Sequence, residues 1–373
     1  MKILLCNDTG TKSHIGCQAV SDAHARMLGR MGHTIRHRYF VNELVGFARP
    51  MLSGAVAAME SDPAVMQHLD DCDAVVVNGE GTLHHNRGLE YLALLALAKH
   101  RGKAALLVNA LFQEIDADPK ILNSLDAFFV RDTLSEAHAK TRGIRCAHAP
   151  DSILAAGFSD VPRPDFQGGL VVTDWHKSRD ADVGAASVRF LVGEPGDERR
   201  WLFALHAREA RENWSGAGAA MGTARMVVTA RHHGVYLALM AGVPFVPLET
   251  NSWKIRATVE SLGLPVAPCR DYPGILAQID RAAEHAAAFA DAGKRLKASL
   301  PLPIFDVLGK GDEGTGEIAE IARLNEQIAT RTSAIAKDRA IMAKRRRKEV
   351  GLRWRVLCAR DGLLRGTMHF ANG

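Results

Sequence analysis

Arg231, His232 and His233 close an apolar run, MVVTA (226–230), and Lys254 follows the next apolar run after a polar stretch that holds Glu249 and Asn251. An arginine fork reads a carboxylate or phosphate through paired hydrogen bonds. A histidine beside it gives or takes a proton near neutral pH, and the lysine adds a movable positive charge. Together they describe a site for a small, multiply charged anion that undergoes proton transfer. Taken as the extended end of a strand, 231–233 turns neighbouring side chains to opposite faces, so only one of His232 and His233 enters the site.

Other apolar runs also end in polar residues. In VVVNGEGTLHHNRG (75–88), Gly79 and Gly81 let backbone N–H groups approach a ligand, although a tight strand-to-helix turn would use the same glycines. Glu80 suits accepting hydrogen bonds from sugar hydroxyls better than cradling phosphate, and the pattern is neither a P-loop nor GxGxxG. In FFVRDTLS (128–135), Arg131 sits at a strand end facing a cleft mouth, and Asp132 or Thr133 reads as a helix N-cap. In HAPDSIL (148–154), Asp151 reads as another cap.

These residues need strands and helices to hold them. KILLC (2–6), TIRHRYF (34–40), DAVVVNG (73–79), KAALLVNA (103–110) and DAFFVRD (126–132) read as strands separated by helical stretches. Their unbroken apolar runs are those of parallel strands covered on both faces. The first helix reads through CQAVSDAHARMLGRMG to a C-cap at Gly32. After a Pro- and Gly-rich linker, DVPRPDFQGG (160–169), the pattern restarts with LVVTDWH (170–176), VRFLVG (188–193), MVVTA and PFVPL (244–248). The expectation is an α/β chain of two doubly wound Rossmann-like domains, 1–160 and 161–310, facing a cleft, and a helical basic tail over 311–373.

Composition narrows the class. The 373 residues are 47% hydrophobic and 24% charged, as in a globular protein, and no apolar segment is long enough for a signal-peptide core or a membrane span. Six scattered cysteines without a CxxC pair predict reduced thiols in the cytoplasm, and the 16 histidines show no HExxH-type spacing, so no metal is expected. The net charge of +5 is uneven. Residues 331–366 hold 12 Lys or Arg against 3 Asp or Glu, which leaves about −4 elsewhere. With a body that is not basic, nucleic acid is not an expected partner. AKRRRKEVGLRWRVLCARDGLL (343–364) reads as a basic amphipathic segment suited to anionic lipid, or as a solvated helix end.

Four segments, in order, carry a family resemblance. TARHHGVYLALMAGVPFVPLETNSWK resembles the signature of the polysaccharide pyruvyl transferase family, whose usual form is Arg-Leu-His, a helix, Gly-x-Pro and, after a strand, a lysine. VRDTLS resembles its Arg-Asp-x-x-Ser segment, NGEGTLHH its Gly-rich turn and HIGCQAV (14–20) its early Gly-(Asp or Cys)-x-Ala segment. The resemblance spans residues 1 to about 300. His232 stands where the family usually has leucine, and Glu80 makes the glycine turn acidic.

The resemblance implies a glycosyltransferase-B-like architecture and transfer of pyruvate, as a ketal, from phosphoenolpyruvate to a sugar of a surface glycan or its lipid-linked precursor. Phosphoenolpyruvate is then a substrate, and no cofactor is needed. By position, His233 takes the family histidine as the general acid. Arg231, Lys254 and Arg131 take the donor-binding cations, with Gly79, Gly81 and Asn251 near them. Glu80 or Glu249 is left as the base. Two other readings fit the same cleft: a nucleotide-sugar glycosyltransferase, with Glu249 on the ribose, and a non-catalytic protein of a glycan locus.

Overall fold

Strands such as AVVVN and AALLVNA have no polar face, so they are stable only inside a sheet covered on both sides. The computed structural model describes residues 1–159, 161–176, 181–192, 199–206, 213–249 and 251–311, and it shows that arrangement twice. The first sheet contains β1 (Lys2–Asp8), β2 (Thr34–Phe40), β3 (Ala74–Asn78), β4 (Ala104–Ala110), β5 (Ala127–Val130) and β6 (Ala147–His148). The second contains β7 (Leu170–Thr173), β8 (Arg200–Phe203), β9 (Met226–Thr229) and β10 (Phe245–Pro247). Every strand pairing is parallel. Both sheets belong to one compact unit, Met1–Glu320.

Helices make the crossovers. In the first half these are α1 (Ile15–Arg30), α2 (Leu52–Glu60), α3 (Pro63–Asp70), α4 (Leu89–His100), α5 (Pro119–Asn123) and α6 (Thr133–Thr141). The second half has α7 (Ala181–Val192), α8 (Trp214–Met221) and α9 (His232–Ala241), then α10 (Lys254–Ser261), α11 (Tyr272–Glu284) and α12 (Ala286–Ala298). As the sequence predicts, α1 ends just before Gly32, which adopts φ +79°, and Asp132 caps α6 through Ser135 N–H at 2.7 Å.

Strand order places the ligand site. The first sheet runs β2-β1-β3-β4-β5-β6 and the second β10-β9-β7-β8. In each, the first strand lies between the second and the third, so the winding direction reverses there, and ligands bind at the C-terminal ends of the strands flanking such a reversal. Those ends are Asp8 and Asn78 in the first sheet and Thr173 and Thr229 in the second. The last two are joined by an Oγ1–Oγ1 hydrogen bond of 2.7 Å.

One expected strand is a helix. Residues 188–192 of VRFLVG form the last turns of α7, in which Val183, Ala186, Ser187 and Phe190 are buried at helical spacing, and Gly193 lies outside the described residues. Val188 and Val192 face outward, 47% and 74% exposed, and so lengthened the apolar run without joining a core. The strand beside β7 is RWLF, whose Arg200 guanidinium lies 4.5 Å over the Phe190 ring.

The two halves share packing. Ile15, Ala19, Val20 and Ala23 of α1 are buried in the core that surrounds the second sheet, and Ile15 N–H donates to Leu205 O at 2.8 Å. After α12 the chain returns to the first sheet, where Leu302, Ile304 and Phe305 pack with Ile3, Leu5 and Leu28. The basic tail expected over 311–373 lies outside the described residues from 312 onward. Among the described residues, no helix is long and apolar enough to cross a membrane.

Candidate active site

A cavity of about 370 Å³ opens where the two strand reversals meet. From the first half, Lys12, Ser13, His14, Cys17, Glu80, Gly81 and Arg131 line it. From the second half, His176, His206, Ala230, Arg231, His232, His233, Asn251 and Lys254 do so. Glu80, Gly81, Arg131, Arg231, His233, Asn251 and Lys254, drawn from three separate sequence segments, thus line one cavity.

His232 and His233 are not a strand end. Arg231 has extended backbone, φ −111° and ψ 127°, and caps α9, so both histidines sit in the helix's first turn. Successive side chains there are rotated by about 100° rather than 180°. Both are therefore buried and both line the cavity. His232 Nε2 bonds Asp151 Oδ2 at 3.1 Å. Among the described residues His233 Nε2 makes no hydrogen bond, and it faces Glu80 Oε1 at 3.5 Å and Asp151 Oδ2 at 3.9 Å.

Glu80 is held by the first half. It accepts from Thr9 Oγ1 at 3.0 Å and from Cys17 Sγ at 3.1 Å, and it is only 4% exposed. Burial works to raise its carboxyl, and the electrostatic pull of His233, Lys12 and Arg131 outweighs that, leaving it below its ordinary value and ionised at neutral pH. Burial pushes His233 down, against the pull of Glu80 and Asp151. His232 is lowered to about 3 by burial and the Arg131 charge, so it is neutral. His14 caps α1, its Nδ1 accepting from Gly16 N–H at 3.2 Å and Cys17 N–H at 3.4 Å. That leaves Nε2 to carry the proton.

The two arginine forks have protein partners. Arg131 Nη1 donates to Asp151 Oδ2 at 2.7 Å with both side chains buried, while its Nε has no acceptor among the described residues. Arg231 grips Asp174 Oδ2 from Nε at 3.0 Å and Nη2 at 2.5 Å, and Nη2 also donates to Trp175 O at 3.0 Å.

Gly79 and Glu249 do not line the cavity. Gly79 N–H donates to Val108 O at 2.8 Å, and a Cβ there would stand 2.6 Å from Ala110 Cα, so this glycine serves the approach to β4. Glu249 N–H donates to Cys269 O at 2.9 Å in an edge bridge. The sequence reading missed Asp174, His14, Cys17, Lys12 and His206 as site residues, and gave Asp151 only its capping role, which it keeps through Ile153 N–H at 2.9 Å. His-x-x-Cys in HIGC was the available signal for two of them.

The sequence model of the family described as polysaccharide pyruvyl transferase matches residues 14–252, which contain most of this cavity wall. No curated protein matches the chain by sequence. Among solved structures, the chain is similar to the UDP-GlcNAc 2-epimerase of Methanocaldococcus jannaschii in complex with UDP-GlcNAc and UDP. The TM-score is 0.52 at 11% identity, over 80% of this chain and 99% of that one. It is equally similar to the UDP-GlcNAc 2-epimerase of Neisseria meningitidis bound to UDP-GlcNAc, with TM-score 0.52 at 11% identity over 88% and 100% of the two chains. At that identity the likeness is one of fold: two doubly wound α/β halves about a cleft, the glycosyltransferase-B-like arrangement. By fold and by the family match across the cavity wall, the chain belongs to the polysaccharide pyruvyl transferase family.

Proposed function

We propose that the protein transfers the pyruvyl group of phosphoenolpyruvate, as a ketal, to a sugar of a surface polysaccharide or its lipid-linked precursor. The observation that carries this reading is the buried His233 Nε2, which makes no hydrogen bond among the described residues and belongs to a cavity lined by Lys12, Arg131, Arg231 and Lys254. A trianionic enol phosphate supplies the charge such a cavity lacks, and the proton acceptor such a nitrogen can serve. Lys12 and Lys254 meet the donor's phosphate and carboxylate. Arg131 and Arg231, each already gripping an aspartate, lend positive potential and leave donor N–H groups to share.

The chemistry follows from the donor. His233 protonates the methylene carbon, and the adjacent carbon becomes oxocarbenium-like. A sugar hydroxyl attacks that carbon, the carbon–oxygen bond to phosphate breaks, and a second hydroxyl closes the ketal. Two hydroxyl protons are released, one reloading His233 and one leaving with phosphate. Glu80, ionised and next to Nε2, stabilises the imidazolium and relays the hydroxyl protons to His233 and phosphate, ending the cycle ionised. In the free protein burial keeps His233 neutral, so arrival of the donor's negative charge is what loads it. The basic segment 343–364 would hold the enzyme at an anionic membrane face, where a lipid-linked acceptor resides.

Thermal shift tests the donor. Phosphoenolpyruvate should stabilise the protein and nucleoside diphosphates should not. The reverse pattern would favour a nucleotide-sugar glycosyltransferase. Phosphate release from phosphoenolpyruvate across a panel of sugar acceptors then tests the transfer.

A further inference from the structure

Cys17 and His14 have no role in the reaction above, yet they lie against its general acid. One ligand atom from each of His14, Cys17 and His233 falls within 4.8 Å of the others. Glu80 joins them: its Oε1 is 3.1 Å from Cys17 Sγ and 3.5 Å from His233 Nε2. Zinc bonds of about 2.0 Å to nitrogen or oxygen and about 2.3 Å to sulfur, at tetrahedral angles, set ligand atoms roughly 3.3–3.5 Å apart. The carboxylate–imidazole distance already meets that spacing, and the thiol–carboxylate distance is short of it only because a proton lies between.

We propose that Cys17, Glu80 and His233 form a binding site for one thiophilic divalent cation of the zinc class, with its fourth position open to the cavity. Three observations carry this. The donor set, thiolate with imidazole and carboxylate, is one zinc accepts. His233 Nε2 is buried, has no hydrogen-bond partner among the described residues and faces Glu80 Oε1 at 3.5 Å, and a ligand atom of the same ring lies within 4.8 Å of Cys17 Sγ. The backbone preorganises the set, because Cys17 stands on the first turn of α1, Glu80 on the turn after β3 and His233 on the first turn of α9. His14 Nδ1 is committed to the α1 amides, so its Nε2–H is left to donate to whatever fills the open position. The nearby cations do not forbid a metal: Arg131 and Arg231 are each matched by an aspartate, and a thiolate with Glu80 balances the metal's charge.

Binding replaces the Cys17 proton with the metal and releases that proton to solvent, so affinity falls about tenfold for each pH unit lowered. Occupancy also takes the Nε2 lone pair that the transfer reaction needs. The cation is thus an inhibitor of that reaction, a consequence that rests on the proposed function, whereas the binding itself does not.

The test uses the full-length protein, stripped with a chelator and titrated with cobalt(II), followed by zinc competition against a chromophoric chelator. One equivalent should bind with a thiolate-to-cobalt charge-transfer band. Cys269→Ser should keep the band. Cys17→Ser, which retains a hydroxyl to donate to Glu80, should lose it and bind zinc at least about 100-fold more weakly, beyond the loss usual for an outer-shell partner. Glu80→Gln keeps the thiol and should also weaken zinc, which covers a folding failure of the first variant. Absence of stoichiometric binding in the wild type, or a band that survives Cys17→Ser, overturns the proposal whatever the donor turns out to be.

Discussion

Gly16 lies directly beneath the imidazole of His233: a methyl built on its Cα would stand 2.3 Å from Nδ1 and 2.5 Å from Cγ. The two residues come from α1 and α9, opposite walls of the cavity, so the ring of the proposed acid is set by the absence of a side chain across the cleft. Gly16 has helical geometry that alanine adopts readily. Gly16→Ala should therefore leave the fold and push the ring from its place. A displacement near 1 Å typically costs about a hundredfold in rate. Turnover should fall on that scale while circular dichroism is unchanged.

His232 and His233 separate by partner rather than by face. His233→Ala should cost roughly a hundred- to ten-thousand-fold in single-turnover rate, the range for a positioned general acid, while donor still binds through the cations. His232→Leu should keep most activity and lose about 1.5–3 kcal/mol of stability with its bond to the Asp151 carboxylate. His232 is held neutral down to about pH 3, so the unfolded chain binds its proton first and stability drains as pH falls below about 6.5. His232→Leu should flatten that slope. If it is the inactive variant and His233→Ala turns over normally, the acid is misassigned.

Asp151 neutralises the buried Arg131 guanidinium. Asp151→Asn strands that charge and should destabilise the protein by about 3–5 kcal/mol in urea unfolding. Burial alone would raise the Asp151 carboxyl, but Arg131, the His232 bond and His233 hold it well below its ordinary range. A depressed carboxyl contributes stability above its unfolded value of about 3.9 and loses it as pH falls below that. The wild type should show this acid-side loss, and Asp151→Asn should show less of it.

Arg231→Lys keeps the charge and loses the paired grip on Asp174. The apparent donor constant should rise at least tenfold with little change in melting temperature. A variant that fails to fold would make Arg231 a structural strut instead.

What the sequence revealed depended on how local the cause was. Strands β1, β3, β4, β9 and β10 were legible because their apolar runs are unbroken and bounded by turn residues, and Arg131, Arg231 and Glu80 were legible because they end such runs. Strand β8 was not: RWLF has one fully buried side at most, and its neighbour in sequence, α7, carries more valine than its core needs. The histidine pair was misread because the switch from strand to helix falls between Thr229 and His232, within three residues, where periodicity has no length to act. Asp174 and Asp151 were underrated since their arginine partners are 57 and 20 residues away. Such pairings are set by sheet order and not by local pattern.

In the proposed reaction, donor binding loads a proton onto His233. Isothermal titration of phosphoenolpyruvate in buffers of different ionisation enthalpy reads proton uptake without any acceptor sugar. The wild type should bind phosphoenolpyruvate and take up nearly one proton more than His233→Gln near pH 7.5. No binding of phosphoenolpyruvate, or equal proton uptake by the two proteins, would contradict the account.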